Sequence, residues 1–302
     1  MDRIDCLSAF VHVLESGSFS GAARRLGTTQ PTISKRIARL EAEFGTSLFL
    51  RTTRRLSPTR EAERIYEHAR GILETFDLAT AQARDVSPQP TGTLAMSVPS
   101  SVGRHLLMPT ILEFMRRYPG VTLDLRLSER PFNLIEEGVE LAIRIGKLSD
   151  ATLRARLLGS VRRFAVASPV YLQDRPGIRD PADLSDHQCI GYAPFGDVAQ
   201  WTFEGEIGRY VVDVDCAAKL DDVDAIQTMA VEGLGIAILP IWLVAPMIDA
   251  GKLEIVLPDF TVPSLPLNAV YFEPRKLSLR ARRFLDLLIE NRSVFDYPMR
   301  PA

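Results

Sequence analysis

The chain has 302 residues, 46% hydrophobic and 25% charged, ordinary values for a globular protein long enough for two or three domains. Bulk disorder and low complexity are excluded. The formal net charge is only −2, yet residues 1–60 carry about +5 and the rest about −7, as a basic nucleic-acid module on an acidic body would.

At the amino end, Ile4, Leu7, Phe10, Val11 and Leu14 recur at helical spacing with Asp2, Arg3, Asp5 and Glu15 among them. That pattern predicts an amphipathic helix and not a signal peptide. Phe19, Ala22, Ala23 and Leu26 make a second, shorter helix, Gly27 breaks it, and Thr28 or Thr29 offers an N-cap hydroxyl to the next. Pro31 suits a first helical turn, so the third helix is expected to start at Thr29 or Gln30. Its stripe of Ile33, Ile37, Leu40 and Phe44 is expected to face inward. At about 100° per residue, Lys35 then points outward, flanked by Pro31, Ser34, Ala38 and Arg39. Small donor-rich residues there suit a helix that enters a major groove and reaches base edges.

Leu48 and Phe49 are expected to pack on these helices, and Arg51-Thr52-Thr53-Arg54-Arg55 to form a basic hairpin closing at Leu56. Arginines on such a hairpin can straddle the backbone or enter the minor groove. The candidate set for double-stranded DNA is therefore Thr29, Gln30, Pro31, Thr32, Ser34, Lys35, Arg39, Arg51, Arg54 and Arg55.

The layout is that of a winged helix-turn-helix. The run Ser16-Gly17-Ser18-Phe19, Ala22-Ala23, Leu26, Gln30-Pro31, Ile33-Ser34, Leu40-Glu41, Gly45, Leu48-Phe49 and Arg51-Thr52 resembles the N-terminal signature of the LysR-type transcriptional regulators. Lys35 stands where that family often has Arg, giving a point charge in place of a bidentate fork. Ala62 stands where a Gly is common after the wing. The resemblance implies a soluble bacterial regulator on the cytoplasmic nucleoid. It also implies assembly as a homodimer or homotetramer, with activation or repression depending on contact with RNA polymerase.

From Thr59 to Val86, Ala62, Ile65, Ala69, Ile72, Phe76, Ala79 and Ala83 keep spacings of three or four, predicting one long helix. Pairing its seam with a second copy gives a two-fold dimer that presents two recognition helices; the alternative is packing on the chain's own body. Ser87-Pro88-Gln89-Pro90-Thr91-Gly92 has turn composition and reads as a hinge.

Beyond it, strands are predicted over 93–98, 121–127, 141–145, 163–167, 189–192, 201–204, 209–214, 235–239 and 267–272. Helices are predicted over 106–118, 131–137, 169–173, 222–232 and 279–291. This alternation predicts a mainly parallel sheet covered on both faces. The fold class is thus α+β multidomain: a winged helix-turn-helix (1–58), a linker helix (59–86), a hinge (87–91) and a two-lobed α/β effector domain (92–302). One lobe is expected from 92–162 with 267–302, the other from 163–266. The run from Glu232 to Pro240 is similar to LysR-type effector domains, which resemble periplasmic solute-binding proteins.

In such folds ligands lie where strand ends and helix N-termini face a cleft. Pro99-Ser100-Ser101 follows a strand and opens a helix, where N–H groups and hydroxyls can hold a carboxylate, though N-capping explains the serines as well. Ser128 and Arg144 are expected on the same edge, Arg144 alternatively as an ion-pair partner. Tyr192, Phe195 and Asp222 are expected on the opposite wall, with core packing the alternative for the aromatics. The expected ligand is a small effector, an organic acid among the candidates.

The four histidines, His12, His68, His105 and His187, are dispersed, and no HExxH or GxSxG pattern occurs. Gly233-Leu234-Gly235 follows a predicted helix and precedes a strand, unlike a dinucleotide loop. Neither an enzyme nor a cofactor is expected. Cys6, Cys189 and Cys216 have no metal or disulfide spacing and read as core thiols, with a redox pair between the last two left open. The longest uncharged run, 233–248, is too short to span a bilayer and reads as strand, turn and short helix. A rival reading is a solute-binding or metabolic α/β protein whose basic head serves packing alone.

Overall fold

The computed structural model describes residues 2–51, 56–83, 89–129, 134, 137–148, 153–193, 200–272 and 277–295. The chain divides into two compact units, Met1–Gln89 and Pro90–Ala302.

In the first unit, α1 (Arg3–Ser16) begins where the Asp2 carboxylate accepts from the Ile4 N–H. α2 (Phe19–Arg25) begins where the Ser18 hydroxyl accepts from Gly21. The third helix, α3 (Gln30–Phe44), is capped by Thr29, with Pro31 in its first turn. Gly45 ends it at φ 67°, a left-handed conformation that favours glycine. Ile33, Ile37 and Leu40 are buried with Ala22, Phe10 and Leu48 in one core. Phe44 departs from the expected stripe: it is 43% exposed, because the helix has passed the edge of that core by its last turn.

A short antiparallel pair follows, β1 (Phe49–Arg51) and β2 (Leu56–Pro58), with Arg51 opposite Leu56. Residues 52–55 lie outside the described residues. The linker helix α4 spans Arg60–Ala83. Its start is fixed by Thr59, whose hydroxyl accepts from the Ala62 N–H and donates to the Ser47 carbonyl. The seam serves two purposes. Ala62 and Ala69 are buried against the unit's own core, whereas Ile72 and Phe76 are about half exposed, at 49% and 48%.

The second unit contains β3 (Gly92–Val98), then α5 (Ser100–Val102), which passes through a π-helical turn at Gly103–Leu107 into α6 (Met108–Arg117). β4 (Val121–Leu127), β5 (Leu141–Ile145) and β6 (Leu153–Ala167) follow. Next come α7 (Pro169–Gln173), a 3-10 turn at Pro181–Asp186, β7 (Gln188–Tyr192), β8 (Gln200–Gly205), β9 (Gly208–Asp213) and β10 (Asp215–Leu220). α8 (Val223–Val231), β11 (Ile236–Pro240), α9 (Ile241–Asp249), β12 (Glu254–Ile255), β13 (Val262–Phe272) and α10 (Leu279–Glu290) complete the order. The helix expected over 131–137 lies almost wholly outside the described residues; Leu134 and Glu137 are in turns.

The main sheet has the order β10-β7-β11-β6-β13-β5-β3-β4, with β12 on β6. It is mixed, not mainly parallel. β3 runs parallel to β4 and β5, and β7 parallel to β10 and β11, but β6 and β13 run antiparallel to each other and to the strands beside them. These two long strands carry the chain between the two halves of the sheet. Both start earlier than expected, and each for a local reason. The first half of β6 is largely exposed and charged at Arg154 and Arg156, so no apolar run announces it. Pro263 and Pro266 disguise the start of β13, which tolerates them by shifting register between Val262 and Leu265. At Gly235 an added Cβ would lie 2.6 Å from the Gln188 carbonyl, so the entry to β11 requires glycine.

Candidate nucleic-acid interface and ligand cleft

The outward face of α3 carries Gln30, Pro31, Lys35, Ala38 and Arg39, all exposed, opposite buried Ile33, Ile37 and Leu40. Lys35 and Arg39 make no ion pair among the described residues. Thr29 and Thr32 do structural work first: their hydroxyls lie 2.9 Å apart and Thr29 caps the helix. The amide oxygen of Gln30 accepts weakly from Ser20 at 3.4 Å, while Ser34 is half-buried. Arg36 turns the other way, to Asp5 at 3.1 Å. Arg51 lies on β1; Arg54 and Arg55 lie outside the described residues.

In the sequence reading Glu41 enters only as part of the family signature. In the structure one of its carboxylate oxygens accepts from the N–H groups of Leu48 and Phe49, at 2.8 and 3.3 Å, tying the end of α3 to the first strand of the wing. The two reading elements are thereby held as one rigid body.

In the second unit a cavity of about 750 Å³ opens where the sheet halves meet. Ser101, Ser128, Arg144 and Tyr192 line it. Ser100 does not: its N–H donates to Glu129 at 2.7 Å. Asp222 also departs from the expected wall, because its carboxylate caps α8 by accepting from Asp224 and Ala225. Phe195 lies outside the described residues.

Glu129, Arg163, Trp201 and Trp242 are among the wall residues that the sequence reading missed. The signal for Arg163 was a charge inside a strand whose neighbours Phe164, Ala165 and Val166 are apolar; Glu129 simply follows Ser128. Burial pushes the Glu129 carboxyl above its usual range, against hydrogen bonds from Ser100 and Tyr192 that pull it down. Tyr192 donates to that carboxylate at 3.2 Å and is itself raised by burial and by the acid beside it. Arg144 donates to the Ser97 hydroxyl and the Ile143 carbonyl; burial lowers its pKa, and the nearby Glu129 charge partly restores it. The Ser101 hydroxyl accepts from the Trp242 indole at 2.9 Å.

Cys189 and Cys216 face each other in register on β7 and β10, and burial pushes both thiols up, Cys189 to about 12. Cys189 is a buried thiol and Cys216 a half-buried one. Among the described residues no cluster of three or more His, Cys, Asp or Glu side chains is arranged to hold a metal. No described helix is long and apolar enough to cross a membrane.

A winged helix-turn-helix whose outer basic face makes no ion pair among the described residues, followed in the chain by an α/β body with a cleft, is the layout of a DNA-binding transcriptional regulator. Comparison with known proteins agrees. Residues 4–63 match the bacterial regulatory helix-turn-helix protein, lysR family, and residues 87–293 match the LysR substrate binding domain. The transcriptional regulator CrgA of Neisseria meningitidis is 36% identical over 286 residues, covering 94% of this chain and 95% of that one. PtxR of Pseudomonas aeruginosa is 32% identical over 289 residues, with 96% and 93% covered. Among solved structures, CrgA superposes with a TM-score of 0.62 at 35% identity over 95% of this chain and 98% of that one. Full-length AphB, a Vibrio cholerae virulence activator, gives 0.61 at 26% identity over 96% and 99%.

The chain belongs to the LysR-type transcriptional regulators. It is a regulator and not an enzyme, as its relatives are.

Proposed function

We propose that this regulator binds an interrupted palindromic operator as a dimer or tetramer, and that a small organic acid in the cleft of its C-terminal unit changes lobe closure and thereby the spacing of the DNA-binding heads. Residues 1–58 form the reading head, 59–86 the dimerising helix, 87–91 the hinge and 92–302 the sensor. The sensor's lobes are 92–162 with 267–302, and 163–266. Contact with RNA polymerase would follow where the protein activates, and the cytoplasmic nucleoid is where it would work.

The observation that carries the reading is the outer face of α3: Lys35 and Arg39 stand exposed and unpaired among the described residues, on a helix whose opposite face buries Ile33, Ile37 and Leu40. Gln30, Pro31, Thr32 and Ser34 share its leading turns with the cap Thr29, and Arg51, Arg54 and Arg55 would supply phosphate or minor-groove contacts. Exposed Ile72 and Phe76 on α4 offer the apolar surface that a second copy would cover.

A gel-shift titration with DNA from upstream of its own gene, repeated across a salt series, tests the reading. Specific retardation that weakens steeply with salt is expected, with a slope that becomes shallower by about one per lost phosphate contact. Lys35→Ala and Arg54→Ala should abolish or sharply weaken retardation while the oligomer survives. Wild-type affinity in both variants removes the assigned reading face.

A further inference from the structure

We infer that Arg163 is the anchor for the ligand's carboxylate, and that the ligand is an amphipathic monocarboxylic acid whose apolar body lies against Trp201 and Trp242. This rests on the reading of the cleft as the effector site.

Arg163 sits on β6, one of the two strands that cross between the sheet halves, opposite Val262 of β13 and Pro240 of β11. It lines the cavity. One terminal nitrogen donates to the Pro263 carbonyl at 2.7 Å, but the Nε hydrogen is buried with no partner among the described residues. Burial lowers its pKa, and no neighbouring charge opposes that pull. Arg144, the other buried arginine on the wall, is different: its donors are engaged by Ser97 and Ile143, and it lies in the field of Glu129. Burying a guanidinium without a counter-charge is costly, and a planar carboxylate matches its fork of donors. An occupant of the cavity would supply the missing anion to the terminal guanidinium nitrogens, since Nε is sealed off from the cavity.

The remaining wall limits what else that occupant carries. A second carboxylate placed beside Glu129 and its partner Tyr192 would meet an acid, so that part of the wall disfavours a diacid. An amine would share the cavity with Arg144, Lys147, Arg163 and Arg209. The Ser101 hydroxyl already serves Trp242, and Val161, Ile190 and Leu265 add apolar surface. A volume of about 750 Å³ falls within the range, roughly 300–1,000 Å³, of pockets that enclose drug-sized organic molecules.

The chain has two tryptophans, and both stand on this wall, so intrinsic fluorescence of the full-length protein reports occupancy directly. Phenylacetate, 4-phenylbutyrate and octanoate are titrated beside their primary amides, with succinate as a diacid. Saturable binding of at least one monoacid is expected, on the order of tenfold or more tighter than its amide and tighter than succinate. Arg163→Gln should weaken the acid on the order of tenfold to a hundredfold and leave the amide unchanged. Arg163→Lys, which keeps charge but not the fork, should fall between. Acids and amides that bind alike, or acid affinity unchanged in Arg163→Gln, overturn the anchor while the cleft remains a ligand site. Failure of every probe to bind overturns the ligand class and counts against the cleft itself. Should Arg163→Gln lose its native circular dichroism, the acid-to-amide ratio of the wild type and of Arg163→Lys decides.

Discussion

Replacing Arg280 with Met should destabilise the Pro90–Ala302 unit more than any surface change, for reasons that can be worked from its contacts. Arg280 lies in the first turn of α10, with its side chain 5% exposed, and pairs with Glu140, 14% exposed. One Glu140 oxygen accepts from two guanidinium nitrogens at 2.6 and 3.2 Å, and the other accepts from the Ser278 hydroxyl at 2.5 Å. A third nitrogen donates to the Thr91 carbonyl at 3.2 Å, where the chain enters β3. In Arg280→Met the carboxylate stays buried without its cation, and breaking one side of a buried pair costs about 3–5 kcal/mol. For a unit of this size each kcal/mol moves Tm by roughly 2–4 °C, so a fall of about 10 °C is expected in calorimetry of the full-length protein. Converting Glu140 to Leu in the same chain removes the stranded charge and should recover most of that loss. A melting temperature within about 2 °C of wild type for Arg280→Met would refute the burial argument. A double variant as unstable as the single would show that packing, and not the uncompensated carboxylate, sets the cost.

Ser101→Ala leaves the buried Trp242 indole N–H without its acceptor, so it should cost about 1–3 kcal/mol in urea titration, and adding Trp242→Phe should return part of it. Equal stability of the single and double variants would deny the hydrogen bond its weight. Changing Ile72 and Phe76 together to Ser should shift sedimentation toward the monomer while circular dichroism holds; an unchanged mass at micromolar concentration would place the oligomer interface elsewhere. Burial raises the folded pKa of Glu129 above its unfolded value, so the stability this group contributes is complete below the ordinary carboxyl range and is lost as pH rises through the raised value. Glu129→Gln should therefore melt higher than wild type at neutral pH and converge with it in acid; a difference constant with pH would contradict that sign.

How much of this was legible in the sequence depends on whether a residue's job is local. Caps, apolar stripes and glycine stops are local, and α2, α3 and the start of α4 fall within a residue or so of where their spacing puts them; the expected end of α4 at Val86 lies outside the described residues. Pairings across long stretches of chain are not. Glu41 looks like a charge past the end of a reading face until Leu48 and Phe49 fold back onto it. Asp222 looks like a wall residue as readily as the cap it is. Trp242 reads as one apolar residue in an uncharged run, and only the meeting of α9 with α5 sets it 2.9 Å from Ser101. The crossing strands were shortened in the reading because their outer halves carry arginine and proline, and Arg163 was hidden by the same disguise.

The contacts that draw the two sheet halves together around the cleft also bear on switching. Trp242 to Ser101, Tyr192 to Glu129, and His105 to Asp224 at 2.6 Å join residues on α9, β7 and α8 to residues beside β3 and β4. The Arg104 and His105 pairs with Asp224 are substantially exposed, and exposed pairs contribute at most about 1 kcal/mol each. The indole bond is buried and contributes about 1 kcal/mol. These side-chain bonds together contribute only a few kcal/mol, the scale of typical allosteric coupling, about 1–3 kcal/mol. A ligand at a hundred times its Kd supplies about 2.7 kcal/mol of linkage, enough to bias such an equilibrium and too little to open a lock several times stronger. The proposed closure needs a ligand that contacts both halves, so one held at Arg163, Trp201 and Trp242, all within 163–266, must also reach Ser128 or Arg144 on the other side of the cavity.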